Sequence, residues 1–303
     1  MLDRLYKING HEIYMPDKTG DVKIKYFSDV HSTYKFNDRK LDAILELVNS
    51  SLCDYVCIGG DIIDSTNFIR ESRSEQIKLL KWLEEIAIYH KTFISCGNHD
   101  FMKRTKDGWN YDYFESFWNE VNEIPNLQIS HFNPYYEDEK IIIYMPELDY
   151  KFYENAESKE DINILLSKLE NDKQYRVGLC ENKVKVMLIH SPYLLTDPRV
   201  MKLIKEFDIV ISGHMHKGLM LPGLNRVIAN NRGLFSPYLR PFPDNARGVK
   251  FLRCDGRETL LIISGGITKT SSNSFVKRNL NHCYPMDLEE IKILAKKYSI
   301  YNQ

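Results

Sequence analysis

The chain has 303 residues, with 41 basic and 42 acidic side chains and a formal charge of −1. At 43% hydrophobic and 27% charged residues it has the balance of a globular protein, and it is long enough to fill a core. The even charge argues against a protein that holds nucleic acid by wholesale phosphate neutralisation, which needs a basic surplus.

No apolar run approaches the roughly 20 residues that a membrane-spanning helix needs. The opening Met-Leu-Asp-Arg-Leu-Tyr-Lys lacks the apolar stretch of a secretory signal. Cys53, Cys57, Cys96, Cys180, Cys254 and Cys283 form no Cys-x-x-Cys pair and read as reduced, mostly structural thiols. A cytoplasmic location is therefore expected. Neither a repeat nor a linker is visible, so one domain over residues 1–303 is expected, with a core at about 22–267 and a C-terminal tail at 268–303.

In chain order, short runs rich in β-branched residues predict strands at Val22–Phe27, Tyr55–Ile58, Thr92–Ser95, Ile141–Tyr144, Val184–Ile189, Ile209–Ile211 and Leu260–Ile263. Their continuous apolar character suits strands buried on both faces. Between them, Asp38–Val48 and Ser74–Tyr89 carry apolar residues at helical spacing. Ile162–Leu169 and the aromatic stretch Trp109–Trp118 are further helix candidates. Arg226 to Ile263 reads as strands and turns. The alternation predicts an α/β core with helices covering the sheets.

Polar motifs follow several of these strands at their C-terminal ends, where open α/β sheets place binding sites. They are Ser28-Asp29-Val30-His31, Gly59-Gly60-Asp61-Ile62-Ile63-Asp64, Gly97-Asn98-His99-Asp100, His190-Ser191-Pro192 and Gly213-His214-Met215-His216. Singly, Asp-x-His or Gly-Asp-x-x-Asp is ordinary turn chemistry, and a lone His190 reads as a hydrogen-bonded core histidine. Jointly, such turns do not account for carboxylates, an amide and imidazoles all at strand ends. Imidazole, carboxylate and amide oxygen together suit Mn²⁺, Fe²⁺/³⁺ or Zn²⁺ better than a soft metal.

This ordered set resembles the calcineurin-like metallophosphoesterase superfamily, and Ser264-Gly265-Gly266 after the last strand resembles its bacterial single-domain subgroup. The resemblance implies a four-layer α/β/β/α sandwich of two mixed sheets with flanking helices. It implies two divalent ions per chain, Mn first, with Fe, Zn or a mixed pair as alternatives. Asp29, His31 and His216 would hold one ion, Asp61 would bridge, and Asn98, His190 and His214 would complete the other. His99 would be the general acid, oriented by Asp64, with Asp100 supporting the ligands. The implied reaction is hydrolysis of a phosphomonoester or phosphodiester by a hydroxide bridging the two ions.

For substrate contacts, Lys217, Arg104 and Arg232 are candidates beside the plainer reading of solvated loop side chains. The stretch Pro222 to Pro243 is either a substrate rim or a surface loop. A Mn-dependent DNA or RNA nuclease is the alternative enzyme, not favoured by the charge. Ser65, where protein phosphatases of this kind carry Arg, lowers that option. The alternative of another class is a non-catalytic scaffold on the same fold.

Overall fold

The structure is a computed structural model, and it describes residues 6–32, 38–64, 73–101, 103–105, 108–110, 115–148, 153, 163, 166–167, 182–219, 232–236, 241–268 and 286–295. The first sheet comprises β1 (Tyr6–Tyr14), β2 (Val22–Phe27), β3 (Tyr55–Ile58), β4 (Lys91–Ile94), β7 (Leu127–Ile129) and β14 (Met286–Leu294), in the order β1-β14-β2-β3-β4-β7. The second comprises β8 (Tyr135–Glu137), β9 (Ile141–Tyr144), β10 (Val184–Leu188), β11 (Ile209–Ser212), β12 (Gly248–Cys254) and β13 (Arg257–Ile263), in the order β12-β13-β11-β10-β9-β8. Both are mixed. β2, β3, β4 and β7 run parallel, as do β9, β10, β11 and β13, while β14 is antiparallel to β2 and parallel to β1.

The layering follows from strand periodicity. In β2, Val22, Ile24 and Tyr26 face one way and join Cys57, Phe93, Ile143, Val186, Leu188 and Ile211 in a core between the sheets. Phe27, Val56, Ile58 and Ile94 face the other way, against α1 (Asp38–Asn49), α2 (Arg73–Tyr89) and α4 (Glu115–Asn122). On the far side of the second sheet, Val210, Leu261 and Ile263 pack against α5 (Pro198–Ile204) through Val200 and Ile204. The result is helix, sheet, sheet, helix. α5 begins as its sequence dictates, with Asp197 accepting from Arg199 N and Pro198 in the first turn.

Lys25 is the exception on the helix-facing side of β2. It is fully buried, and its Nζ donates to the carbonyls of Leu47 (3.1 Å), Val48 (2.7 Å) and Ser51 (2.9 Å), capping the C-terminus of α1 with a cation.

Two expectations change. The helix expected at Trp109–Trp118 is instead β6 (Gly108–Asn110), hairpinned to β5 (Lys103–Thr105), with α4 starting only at Glu115. In addition, part of the stretch expected as a C-terminal tail forms β14, which lies between β1 and β2 and completes the first sheet. Its sequence, Met-Asp-Leu-Glu-Glu-Ile-Lys-Ile-Leu, interleaves charges with apolar residues and so offers no continuous run. The candidate helix Ile162–Leu169 and the Pro222–Pro243 stretch lie largely outside the described residues.

Candidate metal centre

The parallel strands of both sheets deliver their C-terminal ends to one edge, and the polar motifs begin where the strands stop. There the chain turns through left-handed backbone at Asp29 (φ 57°), His31 (48°), Asp61 (51°), His214 (67°) and His216 (46°). Non-glycine residues there cost about 1–3 kcal/mol each and persist only when the surroundings over-determine them. They do here. Asp29 N and His31 N donate to Gly60 O and Asp61 O at 2.9 Å each, Ile267 N and Thr268 N donate to Ser28 O and Asp29 O, and Gly213 N donates to His190 O. Buried Asp100 gathers the second loop: it accepts from Gly97 N (2.7 Å), Asp61 N (2.8 Å), Ile62 N (2.9 Å) and Ile63 N (3.3 Å). Burial first, then the charge of Asp61, raises its pKa to about 7, against these donors, which favour the carboxylate. Gly60 is required by shape, since a Cβ would fall 2.6 Å from Gly97 N and from Ser95 O.

The side chains converge in two buried groups whose ligand atoms lie within 4.8 Å of one another: Asp29, His31 and His216, and Asp61, His190 and His214. Asp61 links them. Its Oδ2 lies 3.7 Å from His31 Nε2 and 3.2 Å from His190 Nε2, and its Oδ1 accepts His99 N at 2.8 Å. Asp29 Oδ2 is held by Ser28 Oγ (2.5 Å) and His214 N (3.1 Å), which leaves Oδ1 for the centre.

Backbone carbonyls fix two imidazoles. His190 Nδ1 lies 2.5 Å from Gly59 O and His216 Nδ1 lies 2.7 Å from Thr268 O. A carbonyl only accepts, so each Nδ1 carries the proton and each Nε2 presents a lone pair inward. Burial holds His31 and His214 well below the ordinary imidazole range, in the neutral form that a metal requires. For His190, burial is the largest influence and acts downward, but Asp61, Asp29 and Gly59 O together outweigh it and lift the ring to about 9; an ion on Nε2 would displace that second proton. Burial alone would raise Asp61; His190, His99 and His31 hold it instead well below the usual carboxylate range.

The residues fit divalent ions. Asp29 Oδ1, both ring nitrogens of His31 and Asn98 Oδ1 are buried with no hydrogen-bond partner. Each such atom costs about 1–3 kcal/mol unless something binds it. A calcineurin-like phosphoesterase family model matches residues 22–218, more than half of the chain.

The chain belongs to the calcineurin-like phosphoesterase family.

Within it, an uncharacterised metallophosphoesterase of Campylobacter jejuni is 24% identical over 219 residues, which is 71% of this chain and 50% of that protein. One from Helicobacter pylori is 26% identical over 217 residues, again 71% and 50%. The chain thus spans about half the length of these curated relatives. A purple acid phosphatase from yellow lupin overlays with a TM-score of 0.43 at 15% identity, over 83% of this chain and 45% of that one. Calcineurin-like phosphoesterases are hydrolases of phosphoric esters, and the Asp/His clusters of this chain could hold divalent ions.

The remaining candidates of the phosphoesterase site fall as follows. His99 stands beside the centre, its ring 5.0 Å from that of His31 and its Nδ1 3.7 Å from Asp64 Oδ1. Its side chain is 19% exposed and that of Asp64 1%, so His99 is on the open side. Lys217 pairs with Asp287 of β14 at 3.1 Å. Arg232 is exposed and pairs with Asp244 at 2.9 Å. Arg104 is on β5. Sequence reasoning passed over Ser28, the carbonyls of Gly59 and Thr268, and Tyr153 and Tyr193, whose rings both lie 5.5 Å from that of His214. Only Ser28 carried a signal, as a hydroxyl adjoining a proposed ligand.

A cavity of about 530 Å³ lies at the opposite end of the second sheet, among Lys185, Lys205, Asp208 and Arg257. Its charges pair locally, Lys18 with Asp208 and Arg257 with Glu206, and it has no part in the metal centre.

Proposed function

We propose that this phosphoesterase hydrolyses a phosphomonoester or phosphodiester with two divalent ions, Mn²⁺ in preference to Fe, Zn or a mixed pair. Asp29, His31 and His216 would hold one ion and Asn98, His190 and His214 the other, with Asp61 between them. The observation that carries the reading is Asp61 Oδ2, which faces an imidazole of each cluster.

Bound ions would supply positive charge against the phosphoryl oxygens and lower the pKa of coordinated water. The chain's own residues do the positioning. Ser28 and the His214 amide orient Asp29, the carbonyls of Gly59 and Thr268 orient His190 and His216, and Asp100 holds the Asp61 loop. His99 sits on the open side with Asp64 facing its Nδ1, so its Nε2 would deliver the proton to the leaving oxygen.

The test is hydrolysis of bis-p-nitrophenyl phosphate and p-nitrophenyl phosphate by chelator-stripped protein, with and without Mn²⁺, while bound metal is counted. Turnover only with metal supports the reading. Full metal occupancy with neither ester cleaved turns it towards a scaffold, and no bound metal defeats it.

A further inference from the structure

Each sheet buries one lysine on a central strand, and the two are satisfied differently. Lys25 of β2 donates to three carbonyls at the end of α1. Lys185 of β10 stands between Val184 and Val186, which face the core between the sheets, so it shares the other face with Met187, which packs under α5. It is 6% exposed and lines the cavity of about 530 Å³. Among the described residues, no hydrogen bond or ion pair engages its ammonium. A buried charge without a partner is costly, so a lysine held here calls for something in the cavity to meet it.

The other charges around the cavity are already matched. Asp208 accepts Lys185 N at 2.8 Å and Lys18 Nζ at 2.8 Å. Arg257 pairs with Glu206 at 2.6 Å, Lys205 with Asp255 at 2.8 Å and Glu258 with Arg253 at 2.6 Å. Asp17 is exposed. Among the described residues, Lys185 is therefore the buried charge of this wall that lacks a counter-charge. The volume lies within the range of small-molecule sites. A single negative charge matches the ammonium, whereas a dianion would also meet the carboxylates of Glu206, Asp208 and Asp17.

We propose that this cavity is a binding site for a small, singly charged oxyanion, a carboxylate or a phosphodiester, held on Lys185 Nζ and separate from the metal centre. Binding there needs no metal, so the experiment uses the intact protein in chelator, where no ion at the metal centre can collect the anion. Lysines carrying ¹³C at Cε report on each ammonium by NMR, and Lys185→Met or Lys185→Arg identifies the Lys185 signal. Benzoate and dimethyl phosphate are the singly charged probes and sulfate is the doubly charged one, all at constant ionic strength. The Lys185 signal is expected to shift saturably with at least one single-charge probe, with a midpoint on the order of 1–10 mM, while that of Lys205 moves little. The tighter of the two probes tells carboxylate from phosphodiester, and sulfate should bind more weakly than it. Saturable line broadening of that probe should vanish in Lys185→Met protein, and the wild-type titration alone decides if that variant does not fold. A Lys185 signal that moves only linearly with both probes, sulfate binding as tightly as the better probe, or saturable binding retained in Lys185→Met would overturn the proposal.

Discussion

Replacing Ser28 by Ala isolates how much the surroundings of Asp29 contribute to metal affinity. Ser28 is fully buried, and its hydroxyl donates to Asp29 Oδ2 at 2.5 Å, while the second donor, His214 N at 3.1 Å, stays in place. Alanine removes one atom and adds none, so no clash disturbs the loop. A hydrogen bond to a charged acceptor contributes about 1.5–3 kcal/mol. If half or more of that is transmitted to the ion on Oδ1, about 0.75–3 kcal/mol, affinity falls by about 3- to 150-fold, since 1.4 kcal/mol is tenfold. Calorimetric Mn²⁺ titration of chelator-stripped wild-type and Ser28→Ala protein measures it, with thermal melts in chelator as the control for folding. One of two binding events should weaken. An unchanged affinity in a folded variant would refute the claim that Ser28 orients Asp29. A wild-type protein that takes up no Mn²⁺ would instead refute the metal reading itself.

Three further outcomes are expected. His99→Ala should keep its metal stoichiometry while turnover drops by about 10²- to 10⁴-fold; near-normal turnover in a metal-replete variant would remove His99 from the chemistry. Lys25→Met should take the ammonium donor from Val48 O and Ser51 O, while Leu47 O keeps Ser50 Oγ, and cost on the order of 3 kcal/mol in urea unfolding, whereas a loss under about 0.5 kcal/mol would show that the buried ammonium contributes nothing net. Gly60→Ala puts a methyl 2.6 Å from two backbone atoms in a left-handed conformation; a loss of soluble yield or a clearly lowered melting temperature is expected, and an unchanged melt would contradict the close packing of these loops.

Much of the fold was legible because its central strands are short runs dominated by buried apolar residues. Val22–Phe27, Tyr55–Ile58 and Ile141–Tyr144 stand where the sequence places them, and α1 and α2 differ from expectation by one residue at an end. β1 and β14 were not legible. β1 is an edge strand with Ile8 and Tyr14 largely exposed, and β14 alternates acidic with apolar residues. Both depend on each other's ladder rather than on local pattern. At the site, side-chain motifs announce themselves because Asp, His and Asn cluster after strands. The carbonyls that fix His190 and His216 have no residue signature, and the Lys217–Asp287 pair needs β14 to be placed first.

The position of β14 also sets a calendar for synthesis. The chain emerges from its N-terminal end, so Asp29, Asp61 and Asn98 leave the ribosome long before residues 286–294. Until those arrive, β2 has an open hydrogen-bonding edge and β1 has no neighbour to join. The contact that finally closes the sheet, Asn9 with Glu289, spans 280 residues, and a ladder of that separation is slow to form. The same late strand brings Asp287 to Lys217, next to His216. A nascent chain that still lacks β14 therefore carries most of the candidate metal ligands on an unfinished first sheet.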